Sequence, residues 1–193
     1  MRSTLDTGGQ AGFTFKCLPT QIKDKRGRLI QIRAYQGEDF ESLREMYETF
    51  EPKGLECGLP PPDKQVRSKW LKHLVSELFN VLAMYRRRVI AHSALDLSCS
   101  PLCPEYLIFV RKSFRNLGIG TALSAVMKQV AHEDGCDKVV LTVRTANSRA
   151  IKVFQKVGFG FCTGMGPCRD MELPLESAKI GRRKPDKRPS CEG

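Results

Sequence analysis

The residues of this chain best suited to chemistry are an arginine and two glycines set between an apolar run and a helical one. The stretch Val110-Arg-Lys-Ser-Phe-Arg115-Asn116-Leu117-Gly118-Ile119-Gly120-Thr121 leaves the apolar run Tyr106 to Val110 and leads into a segment of helical periodicity. The first amides of a helix have no intrahelical acceptor and lie at the positive end of its dipole, so such a junction binds phosphate oxygens. Gly118 and Gly120 let the main chain approach a ligand without intervening Cβ atoms, Arg115 adds a cation and Thr121 a hydroxyl. A glycine pair at this spacing also occurs at tight turns that bind nothing. Two larger phosphate motifs are absent: no Gly-Lys-Ser/Thr follows as a P-loop requires, and Leu123 stands where a dinucleotide fingerprint needs its third glycine. Something other than ATP or NAD is implied.

A second ordered segment lies downstream, Asn147-Ser-Arg-Ala150-Ile-Lys-Val-Phe154-Gln-Lys-Val-Gly158-Phe159. With Arg115-Asn-Leu-Gly118-Ile-Gly120, it resembles the GNAT superfamily of N-acetyltransferases. The acetyl-CoA loop of that family reads Arg/Gln-x-x-Gly-x-Gly/Ala directly after a strand, and its downstream signature reads Asn-x-x-Ala-x-x-x-Tyr-x-x-x-Gly-Phe. The resemblance implies an α/β (α+β) fold in one GNAT-type domain. Its central, mixed, mostly antiparallel twisted sheet would have about six or seven strands with about four helices, and a splayed parallel strand pair would form the acyl-CoA cleft. It also implies an N-acetyltransferase that moves the acetyl group of acetyl-CoA to a primary amine by direct attack in a ternary complex, with no metal. Residue by residue, the main chain at Ile108, Phe109 and Val110 would pair with the pantetheine arm. The amides of Arg115, Asn116, Leu117, Gly118, Ile119 and Gly120, with Thr121, would hold the pyrophosphate, and Asn147 would contact the cofactor near the second splayed strand.

The chain departs from the family pattern at three positions. Lys112 stands where many members have Pro, Asn116 where many have Gly, and Phe154 where many carry a Tyr whose hydroxyl protonates the leaving thiolate. Phe154 can pack against the cofactor, or simply serve as a core aromatic, but it cannot donate a proton.

Acyl transfer to an amine needs a neutral nucleophile, so some group or water chain must accept the ammonium proton while main-chain N–H groups polarise the carbonyl. The Val110 amide is the candidate for polarisation. Glu105, at the head of the same strand, is the candidate base, because family members often place a Glu near there; an exposed strand-start carboxylate is its plainer reading. A slip of one residue would turn it to the other face. His92 reads as an interior, hydrogen-bonded histidine, with a base facing the cleft as the alternative, and His73 and His132 read as structural helix residues. Glu48, Glu51 and Glu56 near the first interhelical loop either recognise a cationic acceptor or are surface charges.

Positioning these residues requires a particular order of elements. Ile30, Ile32 and Ala34 alternate with polar neighbours, predicting a half-buried strand from Leu29 to Tyr35. Phe40, Leu43, Met46, Tyr47 and Phe50 predict a helix that ends before Pro52, and Asp63 is expected to cap a second helix carrying Val66, Trp70, Leu74 and Leu78. Val81 to Tyr85 and Val89 to Leu95 read as a hairpin around three arginines, and Tyr106 to Val110 as the next strand. A helix from Ala122 to Ala131 followed by a strand from Lys138 to Val143 completes a βαβ unit with parallel strands. A last helix, Ser148 to Lys156, precedes two short strands, Phe159 to Thr163 and Arg169 to Leu173.

The formal charge of +11 invites a nucleic-acid reading, but the excess lies mostly in the ends. Residues 1–28 are therefore expected to be a basic, partly flexible extension with a strand near Phe13 to Leu18, 29–174 the acetyltransferase domain, and 175–193 a basic, disordered tail. An acyl-CoA-binding module without transferase activity and nucleic-acid binding through the basic ends are the competing functions, the latter ranked last. The expected partners are acetyl-CoA and an amine acceptor, small molecule or protein, with neither a membrane nor nucleic acid; a homodimer through the last strands is compatible. No apolar run approaches the roughly 20 residues of a membrane span, and the start lacks a secretory h-region, so the expected address is the cytoplasm. Eight scattered cysteines are expected to be reduced thiols rather than a disulfide framework or a zinc site.

Overall fold

The computed structural model describes residues 14–54, 58–97, 103–162 and 164–175. Among these residues eight strands and four α-helices follow one another as β1 (Thr20–Lys23), β2 (Leu29–Ala34), α1 (Phe40–Glu48), α2 (Lys64–Glu77), β3 (Phe79–Tyr85), β4 (Arg88–Leu95), β5 (Tyr106–Val110), α3 (Ile119–Glu133), β6 (Lys138–Arg144), α4 (Ser148–Val157), β7 (Gly160–Phe161) and β8 (Cys168–Pro174). Strands β1 to β5 form an antiparallel sheet in chain order, and β6, β8 and β7 form a second antiparallel sheet with β8 in the middle.

The two sheets touch through one parallel bridge, Glu105 to Val140, where the Val140 amide donates to the Pro104 carbonyl at 3.0 Å. Beyond that bridge β5 and β6 pair no further. The expected parallel pair is thus closed at its start and splayed along the rest, leaving a cleft that opens toward the carboxyl ends of both strands.

Alternation along β5 separates two cores. Ile108 and Val110 pack on the side of α3 and α4, against Ile119, Leu123, Met127 and Phe154, whereas Phe109 joins Leu43, Tyr47 and Leu71 on the side of α1 and α2. Helix α1 is fixed to β2 by a two-pronged ion pair, with Arg33 donating to both oxygens of Asp39 at 2.6 and 2.7 Å. Asp63 caps α2 by accepting from the Val66 amide at 2.8 Å, as expected. The buried stripe of α2 is rotated from the predicted one. Arg67, Leu71 and Leu74 are buried while Val66 is exposed, because the Arg67 guanidinium is drawn inward to the carbonyls of Pro61 and Pro62.

The amino-terminal stretch differs more from expectation. Residues 14–18 form no strand, and pairing begins instead at β1, which runs antiparallel to β2 with Thr20 opposite Ile32. Phe13 and the tail 176–193 lie outside the described residues. Cysteine chemistry also differs: Cys168 is disulfide-bonded, whereas Cys17, Cys103, Cys136 and Cys162 are free thiols. Among the described residues no helix is long and apolar enough to cross a membrane, and no group of three or more His, Cys, Asp or Glu could hold a metal ion.

Candidate acyl-CoA site

The cleft has one wall made of main chain. The Arg111 amide donates to the Ile90 carbonyl at 2.9 Å, and the Glu105 carbonyl accepts from the Asp96 amide at 3.0 Å, so odd-numbered peptide groups of β5 face β4. By the same alternation the peptide groups of Ile108 and Val110 face away from β4, into the splay. This places two of the three residues proposed to pair with pantetheine. Phe109 is turned the other way: its backbone sits in the ladder opposite His92, and its ring packs against Tyr47, Phe50 and Trp70 at 5.3, 5.5 and 5.8 Å. Sequence position alone grouped it with its neighbours; strand parity separates it.

Past β5 a short 3-10 turn, Lys112–Phe114, leads to the loop before α3. Asn116 has φ 62° and Gly118 has φ 87°, both left-handed. Asn tolerates that region better than most residues, which accounts for its presence where the family often has Gly. Gly118 is the N-cap of α3 and provides no side-chain cap, and the first helical bond of the turn runs from the Ala122 amide to the Gly118 carbonyl at 3.0 Å. The amides of Ile119, Gly120 and Thr121 therefore remain available to an anion at the positive end of a 15-residue helix.

A Cβ added at Gly120 would meet Val110 Cγ2 at 3.7 Å and Val153 at 3.8 Å, ordinary contacts on the interior side. A methyl group therefore fits there without displacing its neighbours. The Ile119 side chain is fully buried, so only its amide is placed for binding, while Leu117 packs against the core and its carbonyl accepts from the Lys25 amide at 3.1 Å. The turn between β1 and β2 is thereby tied to the phosphate loop, a contact that no sequence motif announces.

Arg115 reaches away from the helix start. Its Nε donates to the Val110 carbonyl at 2.9 Å, its terminal nitrogen donates to the Glu51 carbonyl, and its guanidinium lies 5.1 Å from the centre of the Phe50 ring. Burial and then repulsion from Arg149 lower its pKa from the ordinary arginine value. Two cations held near each other in this way would be relieved by an anion at the loop. Arg115 also takes up one of the main-chain acceptors facing the splay, which leaves the Ile108 peptide group and the Val110 amide as the wall for a ligand.

Asn147 caps α4, with its side-chain oxygen accepting from the Ala150 amide at 3.2 Å. The cap uses the oxygen, so the side-chain N–H groups are what Asn147 has to offer a ligand. Phe154 is buried in an aromatic group with Tyr106 and Phe159, at 6.3 and 5.7 Å between ring centres. The Tyr106 hydroxyl is bonded to Ser124 at 2.9 Å, and burial raises its pKa well above the usual phenol range. No phenol of this group is therefore placed as an acid.

Glu105 is exposed at the closed end of the splay, in the same parity as Leu107 and Phe109 and hence toward α1 and α2. The alternative of His92 as a base is removed by its surroundings. The side-chain N–H groups of Asn80 donate to the carbonyls of Leu74 and Leu78, so its oxygen accepts from His92 Nε2 at 2.8 Å. That leaves Nδ1 to accept from the Tyr47 hydroxyl at 2.6 Å. Burial holds the His92 pKa down to about 3. This neutral triad joins α1, β3 and β4, with Asn80 also bonded to the end of α2, and Tyr47 and Asn80 were invisible as its members because each reads as an ordinary element residue. Glu48 pairs with Arg44 at 2.6 Å and Glu51 with Lys53 at 3.1 Å; Glu56 lies outside the described residues.

Comparison with known proteins agrees with this geometry. The model of the acetyltransferase (GNAT) family matches residues 40–159. An N-alpha-acetyltransferase of Sulfurisphaera tokodaii is 45% identical over 53 residues, covering 27% of this chain and 32% of that protein. The matched segment thus spans about a third of the relative's length. Among solved structures, the GNAT domain of S. lividans PAT superposes with a TM-score of 0.73 at 19% identity, covering 81% of this chain and 97% of that one. The yncA protein of Salmonella typhimurium, solved with its cofactor acetyl-CoA, gives 0.62 at 16% identity, over 78% of this chain and 96% of that one. With a strand that splays, a left-handed glycine and an uncapped helix start in the matched region, the chain belongs to the GNAT acetyltransferase family.

Proposed function

We propose that the protein is an N-acetyltransferase that binds acetyl-CoA and delivers the acetyl group to a primary amine. The observation that carries this reading is the uncapped start of α3 beside the open edge of β5. A phosphate cradle and a strip of unpaired strand follow each other there, as an extended ligand with a pyrophosphate and an amide-bearing arm requires. In this reading the amides of Ile119, Gly120 and Thr121 hold the pyrophosphate, and the Ile108 peptide group pairs with the arm. Acetyl-CoA supplies an activated acyl group on a thiolate leaving group. With the pyrophosphate at the start of α3, the arm runs along β5 from Val110 toward Ile108, so the Ile108 amide rather than that of Val110 lies nearer the acyl end and polarises the carbonyl. Glu105, further along the same strand, accepts the proton of the attacking amine through water. The new C–N bond replaces the C–S bond, and the departing thiolate takes its proton from solvent. The name of the Sulfurisphaera tokodaii relative supports an α-amino group among the primary amines.

A second reading, an acyl-CoA-binding module, is favoured by Phe154, which leaves its helix without the hydroxyl that would protonate the thiolate. The two separate in one experiment. Release of free CoA from acetyl-CoA is measured with a panel of α-amines, lysine side chains and polyamines. Amine-dependent release supports the enzyme; saturable binding with no amine-dependent release supports the module.

A further inference from the structure

The cofactor end of the large sheet carries a second basic feature that the phosphate loop does not use. A groove of about 780 Å³ opens between the β3–β4 turn and the 3-10 turn after β5, lined in part by Tyr85, Arg86, Arg88, Arg111, Lys112 and Phe114. Arg86, Arg88 and Lys112 are exposed, and none of the three has a carboxylate within 4.0 Å among the described residues. Arg111 pairs loosely with Glu45 at 3.7 Å and donates to the Thr49 hydroxyl at 3.2 Å, while Glu38 and Asp39 share a second groove with Arg86. Cations gathered on one wall repel each other and focus a positive potential into the groove.

The turn itself points the same way. Arg86 and Arg87 connect β3 to β4 directly, with φ of 49° and 63°. A two-residue turn with both central residues left-handed fits the twist of a hairpin, but Asn and Gly occupy it without strain and arginine does not. The Arg86 guanidinium stands 5.2 Å from the centre of the Tyr85 ring on the groove wall.

We propose that this groove binds a phosphate monoester dianion. Guanidinium forks match the planar spacing of phosphate oxygens, and Arg86, Arg88 and Arg111 with Lys112 offer several such donors around one space. Lys112 and Phe114 also begin the loop whose later amides face the pyrophosphate site, so the groove is contiguous with that site along the chain. The phosphate comes either from CoA itself, whose ribose bears a 3′-phosphate, or from a separate molecule. This inference rests on the acetyl-CoA reading only for the first source.

CoA and dephospho-CoA are titrated into the wild type and into Arg86→Asn/Arg88→Gln, in which Asn suits the left-handed position and preserves the turn. Inorganic phosphate is then titrated into CoA-saturated protein while the amide shifts of residues 85–88 are followed. If the cofactor's own phosphate occupies the groove, the wild type prefers CoA over dephospho-CoA by about tenfold and the double variant binds both alike. If a separate phosphate occupies it, the preference is the same in both proteins, and inorganic phosphate shifts the 85–88 amides only in the wild type. An unchanged preference together with no phosphate-dependent shift overturns the proposal. Failure of any CoA to bind would count against the cofactor reading instead, and inorganic phosphate titrated into the free wild type and double variant would then decide the groove.

Discussion

At the residue scale, the triad of Tyr47, His92 and Asn80 makes a prediction about pH. The folded-state pKa of His92 is about 3, below the ordinary 6.5 of the unfolded chain. Between those values the unfolded state binds a proton that the folded state does not. The stabilisation is therefore fully present above pH 6.5 and is lost as pH falls toward 3. Chemical unfolding at pH 7 and pH 5 should show a loss of about 2 kcal/mol from this group, and His92→Gln should flatten that dependence. An equally steep dependence in the variant would mean that other groups cause it. The interior site of His92 was legible from its small, apolar neighbours in sequence. Its partners were not, because Tyr47 lies on the buried stripe of α1 and Asn80 next to the start of β3, and only the packing of three elements brings their polar atoms together.

At the element scale, the order of strands and helices from β2 to β8 was readable because periodicity changes at each boundary and turn residues mark it. Strand β1 was missed because Thr-Gln-Ile-Lys has one apolar residue and no alternation to detect; its pairing with β2 defines it. The site residues divide similarly. Gly118 and Asn147 hold backbone positions that spacing encodes, a left-handed N-cap and a side-chain N-cap. Phe109 was grouped with its strand neighbours and Arg115 taken from the loop motif; parity sets the Phe109 backbone in the β4 ladder, and the Arg115 side chain bonds the Val110 and Glu51 carbonyls. Helix α4 separates the structural from the binding role of Asn147. Asn147→Asp should keep the cap and the stability, whereas Asn147→Ala should lose about 1 kcal/mol in thermal or urea unfolding. If the side-chain N–H groups contact the cofactor, both variants should bind CoA more weakly. Normal affinity in Asn147→Asp would leave Asn147 a cap alone.

At the scale of the whole molecule, two sheets joined by one bridge create a cleft that neither possesses separately. Its main-chain edge comes from β5, its proposed anion site from the start of α3, and its outer brace from the β1–β2 turn through the Lys25 amide. The central claim is that this combination binds acetyl-CoA through the left-handed, uncapped junction at Gly118. Equilibrium titration of CoA into the wild type, Gly118→Ala and Gly120→Ala tests it most directly. A Cβ at Gly118 meets no atom within 4 Å, so the cost of Gly118→Ala is backbone strain of roughly 1–2 kcal/mol at the loop. The account predicts saturable binding at one site, weakened about tenfold or more in Gly118→Ala and nearly unchanged in Gly120→Ala, whose Cβ makes ordinary contacts. No saturable binding by the wild type, or full affinity in a folded Gly118→Ala protein, would contradict it.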